Sequence, residues 1–258
     1  MSNTTDKIFK DIAILYEDGD CAVINKPAGL MVHPDGRDKG PFLTDWVLKT
    51  FPKTKNVGEP GRTPEGDELN RSGIVHRLDR ETSGAIIVAK TQKGYESLKN
   101  QFQDKVVIKK YLDFVWGEER ENFGTIDRPI GRSANDFRKW SAQRGARGEM
   151  RPAETYWVRV WTGMLPESNE KISLIMCEPK TGRTHQIRVH MNAVNHPVIG
   201  DSLYAPKRPC VLGFERTALH SRHIEFKNLK GERIKVQAPL PKDFTKALNI
   251  LGVDLKLL

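Results

Sequence analysis

The sequence predicts an α+β fold built around a mixed, mainly antiparallel β-sheet. Several short stretches have the apolar pattern of strands, whereas a few have helical spacing, and the two kinds do not alternate as in doubly wound or barrel folds. The 258 residues, 38% of them hydrophobic, are enough to bury a sizeable core. Because no repeat or Pro/Ser-rich linker divides the chain, we expect a polar tail over residues 1–10 and one domain over residues 11–258.

The N-terminal half of this domain begins with a predicted hairpin, in the stretch AILYEDGDCAVINKPAGLMVHP, which reads as strand, Asp-Gly turn and strand. A short helix is predicted in TDWVLKTF, where Leu43, Val47 and Leu48 are the apolar positions and Thr44 is the expected cap. Residues 53–70 read as loop. The apolar run GAIIVAK then predicts a buried strand.

The C-terminal half continues with a helix in KGYESLKNQF, where Tyr95, Leu98 and Phe102 have helical spacing. Three strands are predicted in VVIKKYLDFVWG, AETYWVRVW and KISLIMCEP. A last helix is predicted in KTGRTHQIRVHMNAV, after a Gly-containing turn and with Thr184 as its expected cap.

The charge of the chain indicates a polyanionic partner. Lys and Arg number 42 against 33 Asp and Glu, which gives a net charge of +9. The sequence has neither a membrane-length apolar stretch nor a secretory signal, so we expect a cytoplasmic protein without a membrane partner. Cys21, Cys177 and Cys210 stand far apart, and this spacing favours neither a zinc site nor a disulfide framework.

Positive charge concentrates in residues 132–151, RSANDFRKWSAQRGARGEMR, which we call the basic segment. It interleaves basic residues with Phe137, Trp140, Gly and Ser, a composition typical of a mobile loop that grips a nucleic-acid backbone. The alternative is an ordinary solvated loop that happens to be basic. The residues we expect to contact RNA here are Arg138, Lys139, Arg144 and Arg147.

Two motifs place charged residues beside apolar stretches. In HRLDRETSG, residues 76–84, Asp79 precedes a core strand; it is either a turn residue or an ionised group held by Arg77, Arg80 or Arg188. In GRTHQIRVH, a Gly turn opens a helix, so backbone N–H groups with Arg183 and Arg188 favour an anion. The alternative there is a capped amphipathic helix with solvated basic residues.

Other chemistries find less support in the residues. His185 and His190 are five apart, unlike the i, i+4 pair of a metal helix, so no metal site is predicted. Ser83 and His76 could belong to a hydrolase, but no GxSxG elbow is present. Taken alone, Tyr111 is either core filler in a strand or a catalytic group.

Taken together, these segments resemble the RluA-type family of RNA pseudouridine synthases. The resemblance covers about residues 11–244 and rests on motifs found in the family's order: INKPAGLMVHP, HRLDRETSG, KKYLDFVWG, EPKTGRTHQIRVH, HPVIGDSLYA, ALHSRHIEF and QAPLP. It implies the pseudouridine synthase fold and conversion of uridine to pseudouridine in tRNA or rRNA without metal, ATP or another cofactor. Many relatives carry an N-terminal S4-type domain, whereas the motifs here begin by residue 11, so we expect the core itself to grip RNA.

The resemblance also implies roles for individual residues. Asp79 corresponds to the catalytic carboxylate, and Arg77 to the residue that fills the space left when the target uridine flips out of its stack. Tyr111 is implied to stack on the uracil and assist proton removal, and Arg188 to pair with Asp79. Further RNA contacts are expected at Arg80, Arg183 and His185. A non-catalytic RNA-binding protein with the same fold is the alternative, and we expect a monomer.

Overall fold

The computed structural model describes residues 8–34, 40–59, 61–62, 68–69, 72–143, 145–166 and 168–254. The chain divides into two compact units, Met1–Lys109 with Ser221–Pro239, and Lys110–His220 with Leu240–Leu258. The helices are α1 (Leu43–Thr50), α2 (Gln92–Gln103), α3 (Gln186–Ala193) and α4 (Lys242–Leu251). The strands are β1 (Ala13–Glu17), β2 (Cys21–Lys26), β3 (Gly61–Arg62), β4 (Glu68–Leu69), β5 (Ser83–Ala89), β6 (Ile108–Trp116), β7 (Phe123–Asp127), β8 (Ile130–Arg132), β9 (Trp140–Ser141), β10 (Arg147–Arg151), β11 (Glu154–Met164), β12 (Lys171–Pro179), β13 (Leu219–Lys227) and β14 (Arg233–Gln237).

The sheet of the first unit has the order β1-β2-β5-β13, and β14 pairs with β13. The predicted N-terminal hairpin is confirmed, because β1 and β2 pair antiparallel. Its turn is fixed by Asp18, whose carboxylate accepts hydrogen bonds from the backbone of Asp20 and Cys21, both at 2.8 Å. This local bonding explains why an Asp-Gly turn could be found from the sequence.

Strand β5 is the centre of the first unit's core. Every residue of Ser83–Ala89 is buried, as the apolar run predicts, and β5 pairs antiparallel with β2. The predicted helix over KGYESLKNQF is confirmed as α2, which packs Tyr95 and Leu98 into the same core. Thr91 caps α2 by accepting a hydrogen bond from the Gly94 backbone at 3.1 Å.

Two local predictions in the first unit were wrong. Helix α1 is present, but its cap is Phe42, not Thr44: the Phe42 N–H donates to the Asp45 carboxylate at 2.9 Å, and Thr44 is buried inside the first turn. The expected loop over residues 53–70 contains part of a 3₁₀ helix, Pro52–Asn56, and the paired strands β3 and β4. Residues 60, 63–67 and 70 of that stretch lie outside the described residues.

The second unit contains strands in the order β6-β12-β11-β7, all paired antiparallel. Strands β6, β11 and β12 and helix α3 confirm the elements predicted from their sequences. Phe244 of α4 packs against Phe114 and Phe214, with ring centroids 5.6 and 5.2 Å apart. Such aromatic contacts bury large apolar surfaces and hold α4 in this unit.

The basic segment is not the loop that its composition predicts. Strands β8, β9 and β10 form a small antiparallel sheet in the order β10-β8-β9. Buried Ile130 and Ala142 pack with Val189 and Ala193 of α3, and Trp140 packs against this cluster. Apolar residues scattered among the charges therefore anchor the segment, a tertiary contact that composition does not reveal.

The α+β prediction with a mainly antiparallel sheet is confirmed. In both units, the paired strands with defined register run antiparallel, and an isolated parallel bridge joins Met31 and Phe42. Helices are few and follow no β-α alternation.

Candidate active site

The motif HRLDRETS, residues 76–83, forms a loop that leads into β5, and we call it the carboxylate loop. Leu78 is buried at 4% exposure, whereas Arg77 and Arg80 are exposed and Asp79 is half-buried. The backbone N–H of Thr82 donates to the Asp79 carbonyl at 3.1 Å, closing a turn directly behind the carboxylate. Asp79 therefore lies at the edge of the core, as the sequence predicts.

A buried lysine anchors this loop from within the first unit. Lys26, at the end of β2, has no exposed surface. Its ammonium donates to the carbonyls of Pro27, Leu30 and Arg80 at 2.9, 2.7 and 3.0 Å. The Gly29 N–H also donates to the Arg80 carbonyl at 2.9 Å. The residue next to Asp79 is thus tied through its main chain to the motif INKPAGLM.

The glycine that ends HRLDRETSG is required by close backbone approach. Gly84 has a φ of 111°, and a Cβ placed there would lie 2.2 Å from the Ser221 carbonyl oxygen. The Ser221 hydroxyl in turn donates to the Ala85 carbonyl at 2.9 Å. Any side chain at position 84 would push β13 away, so the loop enters the sheet at a fixed point.

Tyr111 lies in β6 opposite Cys177 of β12 and is 8% exposed. Asp113, two residues further, points to the same face of the strand, because strand side chains alternate. Asp113 has no exposed surface, and the polar group beside its carboxyl is the thiol of buried Cys177. Burial raises the pKa of Asp113 to about 8, so this carboxyl is largely protonated at neutral pH.

Arg188 on α3 is held by a carboxylate that the sequence analysis missed. Its Nε and Nη2 donate to Asp201 Oδ2 and Oδ1 at 2.7 and 2.9 Å. Asp201 is buried at 1% exposure and also accepts hydrogen bonds from the backbone of Leu203 and Tyr204, both at 3.0 Å. The Arg188 guanidinium lies 5.1 Å from the centroid of the Tyr204 ring. We call Arg188, Asp201 and Tyr204 the arginine network.

The turn before α3 differs from the predicted cap. Helix α3 begins at Gln186 after His185, which has a left-handed φ of 55°, so Thr184 is not the cap. The side-chain Oε1 of Gln186 accepts hydrogen bonds from the Arg183 backbone at 2.9 Å and the Thr181 hydroxyl at 2.7 Å. The Gln186 side chain therefore fixes the turn that precedes the helix, and the helix begins without a side-chain cap.

The side chains of Arg183 and His185 have partners within the second unit. Arg183 Nε donates to the Pro152 carbonyl at 3.0 Å, and His185 Nδ1 lies 2.9 Å from the Tyr204 hydroxyl. Arg80, in the first unit, donates through its guanidinium to the Met31 sulfur. These residues are therefore partly engaged in structure, and their RNA contacts stay predictions.

The basic residues of the basic segment are not equivalent. Arg138 is already paired: its Nε and Nη2 contact the Asp136 carboxylate at 3.1 and 2.8 Å. This pairing with Arg138 lowers the pKa of Asp136 to about 2. Lys139 makes no ion pair with any described residue, and Arg147 lies exposed on β10. Arg144 lies outside the described residues.

The hydrolase alternative does not fit the geometry of His76. The His76 ring stacks on Phe102 at 4.7 Å, and its Nε2 accepts a hydrogen bond from the Ile87 backbone at 2.9 Å. Burial, followed by the charge of Lys109, lowers the pKa of His76 to about 3. A weakly basic ring with this nitrogen occupied is a poor general base for Ser83.

Within the described ranges, no group of three or more His, Cys, Asp or Glu side chains is placed to hold a metal ion. No helix in the same ranges is long and apolar enough to cross a membrane.

A family model described as RNA pseudouridylate synthase matches residues 20–193 of the chain. The chain belongs to that family. An uncharacterized RNA pseudouridine synthase of Bacillus subtilis, YlyB, is 34% identical over 93% of this chain and 73% of its own length. Ribosomal large subunit pseudouridine synthase D of Xanthomonas campestris is 35% identical over 93% of this chain and 70% of its own length. The predicted membership of the RluA-type RNA pseudouridine synthases is confirmed.

Solved structures agree with this assignment. Human RNA pseudouridylate synthase domain containing 1 matches with a TM-score of 0.69 and 27% identity, over 90% of this chain and 85% of that one. Human RNA pseudouridylate synthase domain containing 4 has a TM-score of 0.71 over 97% of this chain and 96% of that one, at 22% identity. The latter shows the common fold.

The structure places the three expected catalytic residues of this pseudouridine synthase in different units. Asp79 belongs to the first unit, and Tyr111 and Arg188 belong to the second, so their pairing stays a prediction. Sequence reasoning missed Lys26, Asp201 and Tyr204. These residues lie in the motifs INKPAGLMVHP and HPVIGDSLYA, on which the family resemblance rests. The motifs could therefore have pointed to them, but motif order alone assigns no role to these side chains.

Proposed function

We propose that this pseudouridine synthase isomerises specific uridines in structured tRNA or rRNA, with Asp79 as the catalytic carboxylate. The family match over residues 20–193 carries the proposal, since it contains Asp79, Tyr111 and Arg188 in the motifs expected for them. Relatives named ribosomal large subunit pseudouridine synthase D make large-subunit rRNA the first substrate to test. The two units are proposed to act as one catalytic domain over residues 11–258.

The proposed reaction needs no imported group. The N1–C1′ bond of uridine breaks, the uracil turns, and a C5–C1′ bond forms; C5 loses a proton and N1 gains one, so the product is an isomer. Asp79 serves either by attacking the sugar or base or by accepting a sugar proton. Both routes require an ionised carboxylate, and the proposal leaves both open.

Arg188 is proposed to keep Asp79 ionised. A guanidinium has five N–H donors, and the fork with Asp201 uses two of them, so the same group can serve a second carboxylate. A positive charge within about 4–6 Å of Asp79 favours its charged form. Because Asp201 fixes the guanidinium in one plane, Arg188 would meet Asp79 in a defined orientation.

Arg77 and Tyr111 are proposed to handle the nucleobase. Arg77 is exposed while the adjacent Leu78 is buried, so the backbone is anchored where the guanidinium would enter the gap left by a flipped uridine. Tyr111 would stack on the uracil and assist removal of the C5 proton. Lys139, Arg144, Arg147, Arg80, Arg183 and His185 are proposed to contact the RNA backbone, with Arg138 weakened by its pair with Asp136.

Tritium release from RNA labelled at uracil C5 tests the function. We expect the protein to release label from an unmodified large-subunit rRNA or tRNA transcript, because the C5 proton must leave. Asp79→Ala should abolish release, whereas Glu81→Gln, which removes a neighbouring carboxylate of the same loop, should retain it. Binding of both transcripts without release would favour the non-catalytic alternative, and release by Asp79→Ala at the normal rate would remove Asp79 from the mechanism.

A further inference from the structure

A pocket of about 150 Å³ lies within the second unit, between the basic segment and α3. The lining includes Lys139, Trp140, Gln143, Val189, Asn192 and Tyr204. None of the lining residues is acidic, so the pocket lacks the carboxylate that the proposed reaction requires. The lining of this pocket therefore cannot carry out the reaction proposed for the target uridine.

The walls of this pocket are held in place before any ligand binds. The Tyr204 hydroxyl accepts a hydrogen bond from the Trp140 backbone at 3.0 Å and lies 2.9 Å from His185 Nδ1. The Arg132 guanidinium lies 4.1 Å from the centroid of the Trp140 ring. Asp201 fixes the backbone of Tyr204, as described for the arginine network. Preformed aromatic walls are typical of ligand pockets.

The size and chemistry of the pocket suit one flat, polar ring. A cavity of about 150 Å³ is known to hold benzene, so a six-membered pyrimidine fits, whereas a two-ring purine needs more room. The side-chain amides of Asn192 and Gln143 both donate and accept hydrogen bonds, as the edge of a pyrimidine does. Lys139 adds a positive charge for a phosphate.

Asn192 links this pocket to the proposed catalytic machinery. It lies four residues after Arg188 on α3, so the two side chains share one face of the helix. The Asn192 amide has no hydrogen-bond partner among the described residues. A base bound to Asn192 would therefore lie on the face of α3 from which Arg188 reaches Asp201 and Tyr204.

We propose that this pocket binds one unstacked pyrimidine of the RNA substrate, a nucleotide other than the target uridine. The inference rests on the proposed function for the identity of its ligand as RNA. A pyrimidine base would contact Trp140 and Tyr204, hydrogen bond to Asn192 and Gln143, and bring its phosphate to Lys139. This would supply part of the sequence preference of the synthase, because single-stranded bases are read by stacking and by their edges.

Fluorescence anisotropy of the full chain with labelled octanucleotides tests the proposal. The probes are oligouridine, oligoadenosine and an abasic octamer with the same number of phosphates. We expect oligouridine to bind about 5- to 150-fold more tightly than the abasic octamer, the range for one stacked base, and oligoadenosine to gain much less. Equal binding of oligouridine and oligoadenosine would overturn the assignment to pyrimidines.

Asn192→Leu assigns the effect to this pocket. Leucine is a good helix former, and we expect the variant to weaken oligouridine about fivefold, the loss of one hydrogen bond, with the abasic octamer unchanged. The matched control Asn100→Leu, at an exposed position of α2, should alter neither affinity. Gln143→Ala, at an exposed position, provides a second variant if Asn192→Leu unfolds at a lower temperature than the wild type. Equal weakening of both probes by Asn192→Leu and Gln143→Ala would overturn the proposal.

Tritium release separates this inference from the proposed function. Asn192→Leu should raise KM for RNA and leave kcat within about twofold of the wild type, because the pocket binds and does not react. If the wild-type protein releases no tritium from any RNA, the proposed function is refuted. The octamer affinities still show whether the pocket binds a pyrimidine. A fall in kcat with unchanged KM would contradict the binding role.

Discussion

The carboxylate loop of the first unit and the arginine network of the second each hold a charged group at the edge of a core, by different means. The loop that carries Asp79 is anchored through a main-chain atom, because Lys26 and the Gly29 N–H both bind the Arg80 carbonyl. Arg188 is instead held through its own side chain by the Asp201 carboxylate. Changes to the groups that anchor the loop in the first region should therefore act on folding alone, whereas changes to Asp201 in the second region should act both on folding and on the orientation of the guanidinium.

Asp201→Asn should have the largest effect. The amide still accepts hydrogen bonds from Leu203 and Tyr204 but no longer pairs with the buried Arg188 charge, so we expect unfolding free energy to fall by about 3–5 kcal/mol. A misdirected guanidinium should also lower kcat about 100-fold. Urea unfolding and tritium release measure the two effects.

The matched control is Asp136→Asn, which breaks an arginine fork of similar geometry at the surface. The Arg138 side chain of that pair is 64% exposed, so water replaces the lost contacts and neither stability nor kcat should change measurably. Similar losses of unfolding free energy and of kcat in the two variants would show that burial of Arg188 and Asp201 does not strengthen the effect of their pairing.

Lys26→Met should destabilise the first unit by about 3 kcal/mol. The substitution keeps the apolar stem but removes the donor shared by the carbonyls of Pro27, Leu30 and Arg80, of which the Leu30 contact is fully buried. Urea unfolding measures this loss, with the exposed Lys49→Met of α1 as the control. If kcat falls while stability is unchanged, the lysine acts on the reaction and the proposed contrast between the regions fails.

Asp113→Asn should change how stability depends on pH. The pKa of Asp113 is raised to about 8 from an ordinary 3.8 by burial. Between pH 3.8 and pH 8 the Asp113 carboxyl is ionised in the unfolded chain and protonated in the folded chain. The stability of the wild type therefore falls as pH rises and levels off above about pH 8. The Asp113→Asn variant has no such group to titrate. Its free energy of unfolding relative to the wild type should therefore increase with pH, on the order of one kcal/mol per pH unit and by a few kcal/mol at most. Parallel stability curves from pH 4 to 8 would contradict this assignment.

Arg77→Ala should have the smallest effect, limited to one kind of substrate. If Arg77 fills the gap left by a flipped uridine, turnover should fall about tenfold on folded RNA and little on flexible single strands, where no stack is broken. Arg120→Ala removes a surface charge elsewhere and should not distinguish the two substrates. Equal losses on both substrates would leave Arg77 as a simple phosphate contact.

Prediction from the sequence succeeded where the determining interactions are local. The Asp18 turn bonds residues two and three positions apart, and the fully apolar run of β5 identified a central strand. Prediction failed at the basic segment, because the contacts of Ile130 and Ala142 with α3 come from distant sequence. The cap of α3 was also misplaced, because the left-handed residue His185 precedes the helix and no side chain caps its first turn.

The sequence by itself determined the main helices and strands and the family, because hydrophobic period, turn residues and motif order are written along the chain. It also pointed to Asp79, Tyr111 and Arg188. Only the tertiary structure decided what holds those groups, since the Lys26 ammonium binds a carbonyl 54 residues away and Arg188 binds a carboxylate in another segment. A buried charge must find its partner in space, and spacing along a chain does not record that distance.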